Sequence, residues 1–256
     1  MTNLKNFSLI VSTHDDNLPI TEIYEKYAQK YFQLNNNIKK YLICENSPKN
    51  ISYFDHVITN KPKKSWSKQL IDSLSKINSE YIIYCLEDFI FYKKTDSIKL
   101  NYYLNWAYDK KVRYLRLMPK PKGFKKVEQN IYELGPYALY KNSLFLTVWN
   151  KDYLLKILKN YKTPWEFEVL GTRHVRHTEG YYTINEKFIY FHHLVAKGSF
   201  INRSFNKLKL DNSLTSYKKK LNPFYEISWQ IKKELLKLYE LIPDNFIKYH
   251  IYYLFK

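Results

Sequence analysis

The stretch Tyr81-Ile82-Ile83-Tyr84-Cys85-Leu86-Glu87-Asp88 decides how this 256-residue chain folds. Its first six residues are apolar or aromatic without interruption, and two acidic residues follow directly. A short run that is apolar at every position is typical of a strand buried on both faces, as in a parallel sheet covered by helices. We therefore predict a central strand over 81–86, with Glu87 and Asp88 leaving its carboxyl end.

The segments around this strand alternate between strand and helix patterns. Short apolar runs predict further strands, and these cover residues 7–13, 41–44 and 55–59, with a half-exposed strand over 113–118 and a late strand over 187–195. Apolar positions three and four apart predict helices after Pro19 and over 66–77, 97–110 and 152–161. This alternation is typical of an α/β domain with a mixed, mainly parallel central sheet, Rossmann-like in its first half.

The composition is that of a globular chain with a basic surplus. Hydrophobic residues make up 45% and charged residues 26% of the chain, which excludes wholesale disorder. The 42 Lys and Arg residues outnumber the 24 Asp and Glu residues and give a net charge of +18, so an anionic partner has to be considered. Lysine supplies most of this surplus, whereas proteins that recognise bases or grip phosphates in bidentate fashion favour arginine. The charge alone is therefore a weak indication of nucleic-acid binding.

Several classes of site and location are excluded by the sequence. The five glycines lie far apart, so neither a glycine-rich dinucleotide fingerprint nor a P-loop can be written. Cys44 and Cys85 lie in apolar runs and are expected as buried free thiols, too few for a disulfide framework or a zinc knuckle. The first residues are too polar for a signal peptide, and no apolar run approaches the ~20 residues of a membrane span. We therefore expect a cytoplasmic protein, or one bound peripherally to the inner face of the cell membrane.

Glu87 and Asp88 are the first candidate functional residues. Open α/β sheets bind ligands at the carboxyl ends of their strands. Hard oxygen ligands placed there can hold Mg²⁺ or Mn²⁺ and, through the metal, a diphosphate. The alternative is a solvated pair of acids in a turn, and the sequence leaves both interpretations open.

The TPWEFE segment predicts the start of another helix. Thr163 with Glu166 three residues on, and Pro164 at the first helical position, form a capping-box pattern that gives Glu166 a structural role. Glu168 lies three residues after Trp165 on the same helical face, near the positively polarised helix start. A carboxylate in that place could accept a proton from a hydroxyl nucleophile. The alternative is a surface acid that stabilises the helix start.

Adjacent histidines and a lysine mark the segment FHHLVAKG. Neighbouring residues on a strand face opposite ways, so only one of His192 and His193 can point into a given site. Each of them is either a metal ligand or a satisfied structural residue. Lys197, followed by the small Gly198, would suit a phosphate group.

Aromatic and basic residues are interleaved in two parts of the chain. Trp66 lies among lysines at 61, 63, 64 and 68, which suits either a base stacked beside phosphate or an ordinary amphipathic helix start. From about residue 223 the sequence is helical, basic and aromatic, with a break at Pro243. This tail suits either an interfacial helix on anionic lipid or a helical pair docked on the main domain.

Four segments in this order resemble bacterial capsule and O-antigen glycosyltransferases, whose fold is GT-A-like: VSTHDDNLPI, YIIYCLEDFIFY, TVWNKDYLLKIL followed by PWEFE, and FHHLVAKG. The resemblance covers about residues 7–203. It implies a GT-A-like catalytic domain over 1–205, with a nucleotide-sugar half over about 1–118 and an acceptor half over about 119–205. The basic, aromatic helical tail would then occupy 206–256.

The resemblance also implies roles for individual residues. The donor-binding residues would be Thr13, Asp15, Trp66, Gln69, Glu87, Asp88, Lys197 and Arg203. Glu168 would act as the catalytic base toward the acceptor hydroxyl, with Glu166 as a second catalytic candidate. Asp88, with His193 or His192, would hold a divalent metal ion, Mn²⁺ or Mg²⁺.

One feature departs from the family pattern. The metal-binding D-x-D motif is absent, because Leu86 stands where its first aspartate should be and Phe89 follows Asp88. If no metal binds, cations such as Lys197 or Arg203 must neutralise the leaving diphosphate.

The resemblance predicts an inverting hexosyltransferase that moves a sugar from a UDP-sugar to a hydroxyl of a cell-surface polysaccharide or a lipid-linked glycan. An anionic membrane surface could then be a partner of the tail, and no nucleic acid is expected.

Two alternatives come from other classes of protein. A non-enzymatic nucleic-acid-binding protein is favoured by the charge alone and predicts a steep loss of affinity with rising salt. A membrane-surface scaffold predicts that the tail carries all binding.

Overall fold

The computed structural model describes residues 4–48, 51–60 and 64–242. Two parts of the sequence patterns above, Lys61 with Lys63 and the tail from Pro243 onward, lie outside the described residues. The strands are β1 (Phe7–Ser12), β2 (Lys39–Cys44), β3 (His56–Thr59), β4 (Tyr81–Leu86), β5 (Phe89–Lys93), β6 (Tyr114–Arg116), β7 (Lys125–Glu128), β8 (Ile131–Glu133), β9 (Thr147–Asn150), β10 (Tyr181–Ile184), β11 (Tyr190–His193), β12 (Val195–Ala196) and β13 (Ser199–Phe200). The helices are α1 (Leu18–Tyr31), α2 (Trp66–Leu74), α3 (Ser97–Asp109), α4 (Lys151–Leu158), α5 (Pro164–His174), α6 (Asn202–Lys207) and α7 (Pro223–Leu241).

A nine-stranded mixed sheet runs through the described residues in the order β3-β2-β1-β4-β9-β6-β10-β8-β7. β1 pairs in parallel with both β2 and β4, and β2 pairs in parallel with β3. β9 is antiparallel to β4 and β6, and β8 is antiparallel to β10 and β7. β9 and β8 therefore run against the other strands, and the predicted α/β class with a mixed, mainly parallel sheet is confirmed.

The central strand β4 is buried on both faces, as its sequence predicts. Tyr81, Ile83 and Cys85 belong to the core layer that includes residues of α1 and α3. Ile82 and Tyr84 belong to the opposite layer, which includes residues of α2, α4 and α5. Because successive strand residues face opposite ways, a strand between two helical layers must be apolar at every position. Cys44 and Cys85 are buried free thiols, as predicted.

Three segments differ from the sequence predictions. Phe89–Lys93, where the sequence patterns above predict no strand, forms β5 and pairs antiparallel with β11. β6 was expected as part of a half-exposed strand, but it is buried throughout because it lies between β9 and β10 in the sheet. The late strand expected over 187–195 is shorter, and a tight hairpin of β12 and β13 follows it.

The helix α7 contacts the rest of the chain through Tyr239 and Glu226, and most of its large apolar side chains are exposed. Tyr239 is buried and its hydroxyl donates a hydrogen bond to the carbonyl of Tyr137 at 3.0 Å. Glu226 accepts a hydrogen bond from the backbone N–H of Asn202 at 3.0 Å. Large apolar residues remain exposed along α7, namely Phe224, Tyr225, Ile227, Ile231, Leu235, Leu238 and Leu241. None of the helices in the described ranges is long and apolar enough to cross a membrane.

Replacing Trp149 should destabilise the fold more than replacing an exposed tryptophan does. Trp149 is fully buried in β9, where its ring lies 4.5 Å from that of Tyr114 and 5.6 Å from that of Phe167. We expect Trp149→Ala to lower the free energy of unfolding by about 3–5 kcal/mol, because it leaves a cavity between sheet and helices. Urea denaturation of the purified variant measures this loss.

Trp165→Ala is the matched control. The Trp165 side chain is 68% exposed, so its removal should change the free energy of unfolding by less than about 0.5 kcal/mol. Equal losses in the two variants would contradict the burial of Trp149.

Candidate functional site

A cleft of about 420 Å³ lies at the carboxyl ends of β1, β2 and β4. It forms there because the three parallel strands end at the same edge of the sheet, where the chain turns into loops and helix starts. Five of the residues predicted from the sequence line this cleft: Thr13, Trp66, Gln69, Glu87 and Asp88. Its volume is within the range of small-molecule binding sites, about 300–1,000 Å³.

Glu87 is buried and hydrogen-bonded at the base of the cleft. The Asn17 side-chain amide donates a hydrogen bond to Glu87 Oε1 at 2.6 Å, and the Thr13 side chain is a further polar neighbour of the carboxyl group. Burial, and then the charge of Asp88, raise the pKa of Glu87 to about 8. Glu87 is therefore largely protonated near neutral pH, and it ties the end of β4 to the loop after β1.

Asp88 lies beside His193, which the β5–β11 pairing brings to it. That pairing places His193 opposite Phe89, with the two rings stacked at 4.3 Å, and His193 Nε2 lies 3.1 Å from Asp88 Oδ2. His192 points the other way and stacks on Tyr92 at 4.2 Å. Of the two adjacent histidines, His193 therefore meets the acidic end of β4.

Asp88 and His193 are the residues that could contribute to a metal site. Within the described residues no group of three or more His, Cys, Asp or Glu side chains is arranged to hold a metal ion. The Oδ1 atom of Asp88 is nevertheless buried and has no hydrogen-bond partner in the described part of the chain. The carboxylate of Asp88 fits an ion whose remaining ligands are phosphate oxygens and water, as is usual for Mg²⁺ in nucleotide sites. The imidazole of His193 is a softer ligand that suits a transition-metal ion better than Mg²⁺.

Glu168, on α5, contacts the lining of this cleft through Leu144 and is not itself among the lining residues. Its Oε1 accepts a hydrogen bond from the backbone N–H of Leu144 at 2.9 Å, and both Leu144 and Pro164 line the cleft. Burial raises the pKa of Glu168, the Leu144 N–H and the charge of Arg116 oppose that shift, and the charge of Asp88 adds to it. The carboxyl groups of Glu168 and Asp88, eighty positions apart in sequence, are thus close enough to influence each other electrostatically.

Glu166 is engaged at the start of α5. The Thr163 side chain accepts a hydrogen bond from the Glu166 N–H at 3.1 Å, which confirms Thr163 as the predicted N-cap. Glu166 Oε2 accepts from the Lys162 N–H at 2.7 Å, one residue before the position that a capping box uses. Glu166 therefore has a structural role, and its catalytic role stays a prediction.

Three predicted donor-binding residues lie outside the lining of this cleft. Asp15 accepts a hydrogen bond from the backbone N–H of Asn46 at 3.1 Å and borders a neighbouring concavity. Lys197 and Gly198 form the tip of the β12–β13 hairpin, with left-handed φ angles of 49° and 71°. That turn accounts for the glycine. Arg203 lies on α6 beside the two histidines. Their donor-binding role stays a prediction.

Some residues of the cleft were missed by sequence reasoning. Asn17 lies in the polar loop after β1. The cluster of polar residues His14-Asp15-Asp16-Asn17 is the sequence pattern that could have indicated it. Ser12 and Tyr84 are joined by a hydrogen bond of 2.7 Å across neighbouring strands, and each reads as an ordinary strand residue in the sequence. The backbone N–H of Leu144 carries no sequence signal, because any residue except proline would supply it.

Among the comparisons with known proteins, the comparison with solved structures finds matches. No family model matches the chain, and no curated protein matches it in sequence. The crystal structure of S. aureus TarS 1–349 in complex with UDP matches with a TM-score of 0.45 and 13% identity. The mannosyltransferase PcManGT from Pyrobaculum calidifontis, in complex with GDP-Man and Mn²⁺, matches with a TM-score of 0.48 and 11% identity. A CMP:2-keto-3-deoxy-manno-octonic acid synthetase complexed with CTP matches with a TM-score of 0.47 and 12% identity.

The extent of these matches varies. The match covers 72% of this chain and 59% of the TarS chain, and 75% of this chain and 58% of the mannosyltransferase. For the synthetase it covers 82% of this chain and 98% of the other. The chain therefore spans less than two thirds of the first two neighbours.

Replacing Glu87 should change how stability depends on pH. Because the pKa of Glu87 is raised on folding, unfolding releases its proton between about pH 4.5 and 8, and this residue's contribution to stability is lost as pH rises through that window. Glu87→Gln removes this titration and keeps an acceptor oxygen for Asn17. Relative to the wild type, we expect the variant to gain free energy of unfolding by up to about 1.4 kcal/mol per pH unit. Urea denaturation at several pH values across the window measures the slope.

The control is Glu22→Gln, which removes an exposed acid on α1. It should leave the pH dependence of the wild type unchanged. A Glu87→Gln variant whose stability followed the wild type in parallel at every pH would contradict the raised pKa of Glu87.

Proposed function

We propose that this protein is a glycosyltransferase that moves a sugar from a nucleotide diphosphate donor, a UDP-sugar, to a hydroxyl of a glycan acceptor. One observation carries the proposal: Asp88 lines the cleft at the end of β4, and the carboxyl group of Glu168 on α5 accepts a hydrogen bond from Leu144, which lines the same cleft. That arrangement supplies an acidic group for the diphosphate side of a donor and a second one for proton transfer. The acceptor we propose is a capsule or O-antigen polysaccharide or a lipid-linked precursor, glycosylated in the cytoplasm or at the inner membrane face.

The donor nucleotide would occupy the part of the cleft between β1, β2 and α2. Trp66, the first residue of α2, is half-buried there and offers an aromatic face for the base. Thr13 and Gln69 line the same region and offer hydrogen-bonding groups to the base or ribose. This placement leaves the sugar near Asp88 and Glu168.

The reaction we propose is an in-line displacement at the anomeric carbon. The bond from that carbon to the diphosphate oxygen breaks, its electron pair leaves with UDP, and a new bond forms to the acceptor oxygen. Glu168 accepts the proton of the acceptor hydroxyl, and its raised pKa makes it a stronger base than an exposed glutamate. The Leu144 N–H holds the carboxylate in place, which reduces the cost of orienting it. A single displacement inverts the configuration at the anomeric carbon.

Asp88 and His193 would hold a divalent metal ion. Such an ion, when bound, supplies positive charge for the leaving diphosphate. Before an ion binds, the hydrogen bond between His193 Nε2 and Asp88 Oδ2 orients the carboxyl group. In the proposed site, one aspartate and one histidine thus take the place of the two aspartates of the D-x-D motif.

Replacing Glu168 should abolish transfer while donor binding persists. The wild-type protein is incubated with a panel of nucleotide sugars, and release of the nucleoside diphosphate is measured with and without glycan acceptors. We expect Glu168→Gln to lower kcat by about 10²–10⁴-fold, the usual contribution of a general base. The Kd for UDP should stay within about twofold, since glutamine can still accept the Leu144 hydrogen bond.

Glu166→Gln is the matched control, two residues away on the same helix. Because Glu166 serves the helix start, this variant should keep its kcat within about threefold of the wild type. Full activity in Glu168→Gln would remove that residue from the mechanism. A wild-type protein that bound no nucleotide sugar would refute the proposed function.

A further inference from the structure

A second concave surface, which we call the cationic groove, lies between β11, α6 and α7. It consists of two adjoining concavities of about 230 and 570 Å³ that share His193, Trp229 and Lys233. The polar and charged residues of the smaller concavity are His192, His193, Arg203, Ser204, Lys207, Gln230 and Lys233. Since His193 also contacts Asp88, the groove begins directly beside the cleft of the proposed donor site.

The smaller concavity concentrates positive charge, and two carboxyl groups contact residues of its lining: Asp88 beside His193, and Glu226 at the backbone N–H of Arg203. No Asp or Glu occurs among the described residues that line it. The salt bridges found in the described residues also leave out Arg203, Lys207 and Lys233. Burial, and then the charges of Lys120 and Arg203, lower the pKa of Lys233 to about 8. Cations held this close destabilise one another, and a bound anion would relieve that repulsion.

We propose that the cationic groove binds a phosphate or diphosphate group carried by the acceptor glycan. This inference rests on the proposed function, because it names the substrate class on the acceptor side of the same site. The concavity beside Arg203 and Lys207 has room for such a group, and guanidinium and ammonium groups are the usual phosphate partners. The donor cleft differs in charge, since no Lys or Arg occurs among the described residues that line it.

The larger concavity gives the rest of the acceptor a path toward the proposed base. Its apolar and aromatic lining includes Tyr140, Trp165, Trp229 and Leu236, which suits the faces of sugar rings. Trp165 lies on α5, three residues before Glu168. A glycan held by its phosphate near Arg203 could therefore extend along α7 toward Glu168 and present a hydroxyl there.

Lysine and tryptophan side chains on α7 are arranged to serve both parts of the ligand. Lys233 Nζ lies 3.4 Å from the ring centroid of Trp229, and the Trp229 ring lies 5.7 Å from that of His193. Lys197, at the hairpin tip on the opposite side, lies 4.8 Å above the ring of Tyr225. This geometry gives α7 a binding role that includes one of its exposed aromatic residues, Tyr225.

Isothermal titration calorimetry with inorganic pyrophosphate and with UDP tests the proposal. Pyrophosphate titrations contain no divalent metal, and UDP titrations contain Mg²⁺. On this proposal Arg203, predicted above as a donor-binding residue, serves the acceptor side instead. We therefore expect the double variant Arg203→Gln/Lys233→Gln to raise the Kd for pyrophosphate at least tenfold and to leave the Kd for UDP within twofold. Trp66→Ala, in the donor cleft, should do the reverse.

The charge-matched control is Lys209→Gln/Lys237→Gln, which removes two exposed lysines, one just beyond α6 and one on α7. It should leave both Kd values within twofold, so that loss of net charge is separated from loss of the groove. Thermal denaturation checks that every variant is folded. An unchanged Kd for pyrophosphate in Arg203→Gln/Lys233→Gln would overturn the proposal. An equal loss of UDP affinity in that variant would also overturn it, since the cations would then serve the donor.

Failure of the proposed function gives a different result. A wild-type protein that bound pyrophosphate through Arg203 and Lys233 but bound no UDP would support the anion site and refute the glycosyltransferase.

A further titration with octyl diphosphate separates the two sources of the phosphate group. Binding at least tenfold tighter than that of pyrophosphate would identify a lipid-linked glycan. Equal affinity would identify a free glycan phosphate.

Discussion

The structure depends on the burial of β4 between two helical layers. Parallel pairing with β1 and antiparallel pairing with β9 satisfy its backbone groups, and its side chains divide between the two cores. Because β4 is parallel to β1 and β2, the three strands end at the same edge of the sheet. Glu87 and Asp88, which follow β4, therefore lie at that edge. Buried carboxyl groups need hydrogen-bond partners or a proton. The nearby Asn17 and His193 supply the partners, and the raised pKa of Glu87 favours its protonated form.

Two neighbouring acids consequently have different roles. Glu87 faces Asn17 and Thr13 and holds the wall of the cleft together. Asp88 faces His193, and its second oxygen has no partner within the described residues. Burial, and then the like charge of Asp88, raise the pKa of Glu87 and favour its protonated form, so the site carries less negative charge than the sequence suggests. A binding site for an anionic donor is more favourable with that reduced charge.

Opposite charges are separated along the molecule on the two sides of His193. The cleft beside it contains the carboxyl groups of β4, and the groove beside it contains the cations of α6 and α7. On the proposed function, this separation would let two anionic ligands approach neighbouring residues without sharing one set of cations. Lys197 and Arg203, predicted for the donor, border the concavities of the cationic groove.

The sequence by itself determined the α/β class, the burial of β4 and the N-cap at Thr163, because periodicity and capping are local properties of the chain. It also indicated Glu87, Asp88 and Glu168, whose positions follow from strand and helix ends. The tertiary structure decided which histidine meets Asp88, since that depends on the register between β5 and β11. It likewise decided the burial of Arg116 in β6 and the contact between Leu144 and Glu168. Both depend on which distant segments lie side by side, and no local pattern carries that information.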